Sequence, residues 1–249
     1  MFDPLSITLI GLTFLLAGTV KGIIGLGLPT VSLGLLVAVF DLPTAMALLI
    51  VPSFATNLWQ ALVGGNTKAI VLRIWPFLMM ATLTVWIGSI ALTRVDLDLL
   101  SGLLGGLLIS YALLNLAGFR TSIPSQMEGW AGPVFGAANG ILTGMTGSFA
   151  VPGIMYLQAI GLPRIMLVQA MGMLFTVSTM ALAVALQSNN LLSSDLNIAS
   201  IAALVPAIIG MIAGQRIRKK LSEERFRKVF FIAILALGAY IIAAASIDM

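Results

Sequence analysis

Three uninterrupted apolar stretches, 43–63, 69–92 and 163–186, set the first constraint on this chain. Each supplies the roughly 20 residues that a helix needs to cross a hydrocarbon core of about 30 Å. Further apolar segments run over about 97–117, 196–215 and 226–247, and shorter ones over about 5–20, 29–40, 131–145 and 149–160. With 59% hydrophobic and only 9% charged residues, the chain lies far outside the range of soluble domains, roughly 45–50% and about 25%. In lipid, backbone polar groups must be satisfied inside the segment, and continuous rather than alternating apolar runs do this as helices. The expected fold class is an all-α integral membrane protein, multi-pass and resident in a plasma (inner) membrane, with the lipid bilayer as its partner.

The stretch 5–40 does not fit one crossing. As a single straight helix it would be about 54 Å long, against a core of roughly 30 Å, so it must break or fold back. The break is written in Val20-Lys21-Gly22-Ile23-Ile24-Gly25-Leu26-Gly27-Leu28-Pro29, which puts a charge, three glycines and a proline into an apolar run. A counterpart follows in Asn139-Gly140-Ile141-Leu142-Thr143-Gly144-Met145-Thr146-Gly147-Ser148, ahead of Pro152. The opening Met1-Phe2-Asp3-Pro4 lacks the basic region of a secretory signal, so the first segment is expected to stay in the protein.

The same order of features recurs in two halves, 1–120 and 121–249. Leu42-Pro43 matches Leu162-Pro163, each with a methionine three residues after the proline (Met46, Met166), and Pro76 with Gly88 matches Pro206 with Gly214. Pro43 and Pro163 sit where helices begin, whereas Pro52, Pro76 and Pro206 fall inside apolar segments. Charge chooses between two topologies. If each glycine-broken stretch crosses once, Arg94, Arg164 and the seven basic residues of 216–228 share a face opposite Lys68, Arg73 and Arg120, nine against three. If each folds back as a hairpin, the division becomes eleven against Arg94 alone. The hairpin reading places both termini outside and the loop 216–228 in the cytoplasm. It makes the halves inverted repeats, each a glycine-broken helical hairpin followed by three spanning helices. Ser222, followed by Glu223 and Glu224, reads as the start of the last helix.

Several function classes drop out. With no cysteine and no histidine, thiolate chemistry, disulfides, imidazole catalysis and the usual zinc sites are excluded. No pair of acids stands mid-segment, so an enzyme is not expected, nor a cofactor or metal. The basic pI near 9.8 is that of a membrane-orienting loop rather than of nucleic-acid binding. A homodimer is the assembly the sequence leaves open.

Residues that remain point to an anion. Lys21 immediately precedes a turn whose far side begins a new helix, so an ammonium and a helix N-terminus can converge on one ligand. Two such N-termini, near Pro29 and Ser148, together with Lys21 amount to about two positive charges, enough for a small mono- or dianion. The expected binding residues are Lys21, Gly25 and Gly27 at the first break, and Asn139, Thr143, Thr146, Gly147 and Ser148 at the second. Asn57, Gln60 and Gln169 are added as polar linings. For these last three, interhelical hydrogen bonding is an equal alternative, and in membranes hydroxyls commonly bond back to their own helix.

Lys21-Gly22-x-x-Gly25-x-Gly27-x-Pro29, and Thr143-Gly144-x-x-Gly147-Ser148-Phe149-x-x-Pro152 followed by Tyr156-Leu157-Gln158-Ala159-Ile160-Gly161-Leu162-Pro163, resemble the two glycine-rich signatures of the TauE/SafE sulfite-exporter family. The resemblance extends over nearly the whole chain. It implies a transporter of sulfur-containing anions, sulfite or sulfonates such as sulfoacetate, with the anion held between two broken helices near the bilayer midplane. An anion channel of the same architecture, and a carrier of non-sulfur carboxylates, are the alternatives.

Overall fold

Asp3 opens the first helix. Its carboxylate accepts the Ser6 N–H at 2.7 Å, and Pro4 takes the first helical position, where a missing N–H donor is harmless. The computed structural model describes residues 3–118, 121–218 and 222–248. The helices are α1 (Pro4–Ile24), α2 (Leu28–Val37), α3 (Leu42–Leu62), α4 (Thr67–Leu83), α5 (Val85–Ser89), α6 (Ala91–Arg94) and α7 (Leu97–Leu116). They continue as α8 (Glu128–Thr146), α9 (Gly153–Ala159), α10 (Arg164–Ser188), α11 (Ser194–Arg218) and α12 (Glu223–Asp248). Among the described residues there is no strand. Among the described residues, seven helical stretches are long and apolar enough to cross a membrane: α1, α3, the run α4 to α6, α7, α10, α11 and α12. The chain is an all-helical, multi-pass membrane protein.

The segment 5–40 is broken as its length requires, into α1 of about 31 Å and α2 of about 15 Å. Pro43 lies in the first turn of α3 and Pro163 immediately precedes α10. Pro52, Pro76 and Pro206 lie inside α3, α4 and α11. Ser222 starts α12, its carbonyl accepting the Phe226 N–H at 3.0 Å. Arg120, and Lys219, Lys220 and Leu221 of the basic loop, lie outside the described residues.

One apolar segment is less regular than its hydropathy suggests. The stretch 69–92 reads as one piece, yet α4 gives way to α5 at Thr84 and α5 to α6 at Ile90. The Thr84 hydroxyl lies within hydrogen-bonding distance of Met80 O (2.8 Å) and of Ala137 O in α8 (2.9 Å). A hydroxyl that competes for its own helix's carbonyls bends the helix. Gly88, four residues on, is pressed against the Ile141 carbonyl.

By contacts the chain divides into two compact units, each drawing on both sequence halves. The first comprises Met1–Pro52, Val95–Phe119 and Asn190–Met249, and the second Ser53–Arg94 and Arg120–Asn189. In the first, α1 and α11 meet backbone to backbone. A Cβ on Gly18 would collide with the Ala207 carbonyl, one on Gly22 with that of Met211, and one on Gly210 or Gly214 with those of Leu15 or Thr19. Small residues four apart allow this approach, which in lipid is a main source of helix association. The opposite side of α11 presents Ile198, Ile201, Val205 and Ile209, all exposed, as an apolar stripe. α7 and α12 pair similarly through Gly105 and Gly238, and α2 lies against both, Gly34 abutting Leu108 and Leu237.

In the second unit α8 packs on α4 and α5 by the same device. Gly136, Gly140 and Gly144 face the carbonyls of Phe77, Ala81 and Val85. α10 lies alongside, and Gly172 lets it approach the backbone of α3 at Gln60 and Ala61.

Candidate functional site

The two breaks are built alike. α1 ends at Gly25, whose left-handed backbone (φ 81°) turns its N–H back to the Lys21 carbonyl at 2.8 Å. α8 ends at Gly147 (φ 71°), whose N–H reaches the Thr143 carbonyl at 2.8 Å. Only glycine adopts this cap conformation freely, and so the glycines at these positions dictate where each helix stops. At the first break a second left-handed glycine, Gly27 (φ 102°), starts α2, with Pro29 in the first turn. Val20 and the Phe230 ring close over Gly27 within about van der Waals contact of where a Cβ would lie.

Lys21 stands in the last turn of α1, one turn before the cap, and only 5% of it is exposed. A lysine that served only to anchor a helix end would reach out to the headgroups. This one is enclosed by protein in the first unit, in the last turn of α1 and ahead of the break that leads into α2.

The second break carries no charge. Asn139, Thr143, Thr146, Gly147 and Ser148 are buried together there, and their hydrogen bonds separate their roles. Thr146 bonds back to Leu142 O at 2.7 Å and accepts the Ser148 N–H at 3.2 Å. Thr143 reaches across the break to Ser148 O at 3.0 Å. Asn139 Oδ1 accepts the Gly153 N–H at 3.0 Å, so the amide caps the start of α9. Two groups stay unengaged among the described residues: the Asn139 amide nitrogen and the Ser148 hydroxyl.

The short helix after this break is pinned at its far end as well. Arg73 forks onto Glu128, Nε to Oε2 at 2.9 Å and Nη2 to Oε1 at 2.7 Å, and Nη2 also donates to the Ile160 carbonyl at 2.7 Å. The Ile123 N–H donates to Ala159 O at 2.9 Å. Tyr156 of α9 stacks on Phe77 with ring centroids 4.6 Å apart and on Phe135 at 5.7 Å. The helix that follows the break is thus held by side chains from α4 and α8.

Of the three additional polar residues, Gln60 and Gln169 bind other parts of the protein. Gln60 donates to Val168 O at 2.7 Å. Gln169 donates to Ala61 O (2.9 Å) and Thr67 Oγ1 (3.0 Å) and accepts the Asn66 N–H (3.2 Å). These are the bonds of interhelical glue. Asn57 is buried and donates to Ser53 Oγ at 3.0 Å, which in turn lies 3.4 Å from Thr179 Oγ1. Sequence reasoning passed over Ser53, Ser178 and Thr179. The signal was a run of hydroxyls, Thr176-Val177-Ser178-Thr179, inside an otherwise apolar helix.

All nine acids stand at helix ends. Asp3, Asp41 and Asp96 cap α1, α3 and α7; Asp98, Glu128, Asp195, Glu223 and Glu224 lie in first turns, and Asp248 ends α12. Among the described residues no three His, Cys, Asp or Glu side chains cluster as a metal site would need.

Spanning helices interrupted by glycine-capped breaks, one with a buried amine and the other with neutral donors, are the kind of feature that membrane transport proteins build sites from. A family profile described as Sulfite exporter TauE/SafE matches residues 10–241. The chain belongs to the TauE/SafE sulfite exporter family, and membership implies membrane transport of sulfur anions such as sulfite. No curated protein and no solved structure matches it.

Proposed function

We propose that this protein is a carrier for a small sulfur-containing anion, sulfite or a sulfonate such as sulfoacetate, bound at its glycine breaks. The observation that carries the reading is Lys21, a lysine only 5% exposed in the last turn of α1, ahead of the break that leads into α2. The ammonium and the N-terminal half-charge of that 10-residue helix attract the same kind of ligand. The second break, in the other unit, offers neutral donors, Asn139 Nδ2 and the Ser148 hydroxyl, which suit oxyanion oxygens. Inverted repeats, with the termini outside and 216–228 in the cytoplasm, complete the proposal.

The placement of the acids supports potential-driven movement of the anion. Every acidic residue lies at a helix end in the chain, and none falls mid-helix where a proton-carrying site of a symporter is expected. Strict proton symport, abolished by neutralising one of these acids, would contradict this.

The test is Lys21→Gln in the full-length protein, with sulfite and sulfoacetate titrated separately at fixed ionic strength to remove surface screening. A hydrogen bond to a charged group contributes about 1.5–3 kcal/mol, so affinity should fall about 10- to 150-fold. Anion-dependent thermal stabilisation should fall with it. Ser148→Ala removes one neutral donor and should weaken the same anion less. Unchanged affinity of Lys21→Gln for both anions would remove the charge from the site. A double-mutant cycle of Lys21→Gln with Ser148→Ala asks whether one anion engages both breaks.

A further inference from the structure

Nearly every buried polar side chain in the second unit has a partner, and the exceptions are informative. Asn139 Nδ2 and Ser178 Oγ are fully buried, yet among the described residues neither has a hydrogen-bond partner. Native interiors hold few such groups, and each calls for an ordered water, an ion or a ligand.

The two lie on the same side of the second break. α4–α5, α8 and α10 run in one direction: Arg73 meets Glu128 near the start of α4 and α8, and Gly144 meets Val85 farther along. Gln169 likewise meets Thr67, and Asn189 lies 3.4 Å from Ser89 at the other end. Following α10 toward its C-terminus therefore means following α8 toward its break. Leu174 of α10 abuts Gly153, the residue that Asn139 caps, and the Phe175 ring lies 5.9 Å from that of Phe149 within the break. Ser178 stands four residues beyond Leu174 and three beyond Phe175, hence on the same helix face and one turn farther toward Thr143 and Gly147.

The chemistry selects the occupant. Asn139 Oδ1 accepts the Gly153 N–H, and the partnerless atom, the amide nitrogen, can only donate. A cation cannot bind to it, and an acceptor is required. The Ser178 hydroxyl can donate, and its helix neighbours Leu174 and Phe175, with Phe149, make the surroundings apolar, where donated bonds to an anion are strong. We propose that Ser178 is a further ligand-contacting residue, donating together with Asn139 Nδ2 to oxygen atoms of the bound oxyanion. This rests on the anion-carrier reading above.

The experiment uses the full-length protein in lipid nanodiscs, with sulfoacetate as the probe because it leaves thiol reagents intact. Ser178→Ala should weaken sulfoacetate binding about three- to tenfold, while the thermal unfolding midpoint without anion stays unchanged or rises. The chain has no cysteine, so Ser178→Cys gives a single thiol whose reaction with a small methanethiosulfonate should slow when sulfoacetate is present. A hydroxyl that merely holds a structural water gives the opposite pattern, a lowered midpoint without anion and unchanged affinity, and that result overturns the inference. So does unprotected labelling of Ser178→Cys at saturating anion. If Lys21→Gln loses binding while both Ser178 variants behave as the wild type, the carrier reading stands and this inference fails. A wild type that binds neither sulfite nor sulfoacetate removes both.

Discussion

Ser200 occupies the gap that Pro52 leaves in α3, and replacing it tests how this fold tolerates a proline inside the membrane. Proline has no N–H, so the carbonyl of Leu48, four residues earlier, loses its helical donor. The Ser200 hydroxyl of α11 donates to that carbonyl at 2.9 Å and accepts the Val51 N–H at 3.1 Å, and Ser200 is 1% exposed. Ser200→Ala breaks both bonds and strands a buried carbonyl. A net hydrogen bond is worth about 0.5–1.5 kcal/mol, and interhelical bonds in membranes average about 0.6 and reach about 1.7 kcal/mol. The expected destabilisation is about 1–2 kcal/mol. Reversible unfolding in mixed micelles, followed by circular dichroism, measures it. The decisive arm is the Pro52→Ala background, where a restored N–H refills the Leu48 carbonyl. There Ser200→Ala should cost less than about 0.5 kcal/mol, so the two changes are coupled. An equal cost in both backgrounds would show that the hydroxyl does not serve the proline, and the reasoning would fail.

Two further outcomes follow from packing and from charge. Gly22→Ala drives a methyl into the Met211 carbonyl and should destabilise by about 1–3 kcal/mol. Gly11→Ala, on the same helix with open space around it, should be neutral or stabilising by up to about 1 kcal/mol; equal losses in a thermal-unfolding comparison would refute the close approach of α1 and α11. For topology, single cysteines at the exposed Lys68 and Ser125 should resist a membrane-impermeant thiol reagent added from outside and react after permeabilisation. Labelling of both in intact cells would sink the inverted-repeat arrangement.

The broken helices were legible because their cause is local. A left-handed cap needs glycine whatever surrounds it, so Gly25 and Gly147 announced the ends of α1 and α8. Lys21 was legible as an unusual charge in an apolar run, but that it is enclosed by protein was not. The roles of Gln60, Gln169, Ser178 and Ser200 were not legible. Each depends on which carbonyl or hydroxyl a distant helix presents, as when Gln169 meets Thr67 and Ala61 more than a hundred positions away. Thr84 is a similar case: nothing in 69–92 marks a bend, and the carbonyl that engages the hydroxyl belongs to Ala137.

The sequence by itself determined that this is a multi-pass helical membrane protein, where α1 and α8 stop, and that a lysine stands at the first break. Those follow from apolar length, glycine conformation and the cost of charge in lipid, which are properties of short segments. Only the tertiary structure decided that α1 lies on α11, that α8 lies on α4 and α5, and that each compact unit draws on both halves of the chain. In a soluble protein an apolar stripe would have named the inward face. Here lipid accepts every apolar face, so partner choice rests on close approach at Gly18, Gly22, Gly210 and Gly214, and at Gly136, Gly140 and Gly144. Which backbone fills each of those grooves is a property of two helices at once.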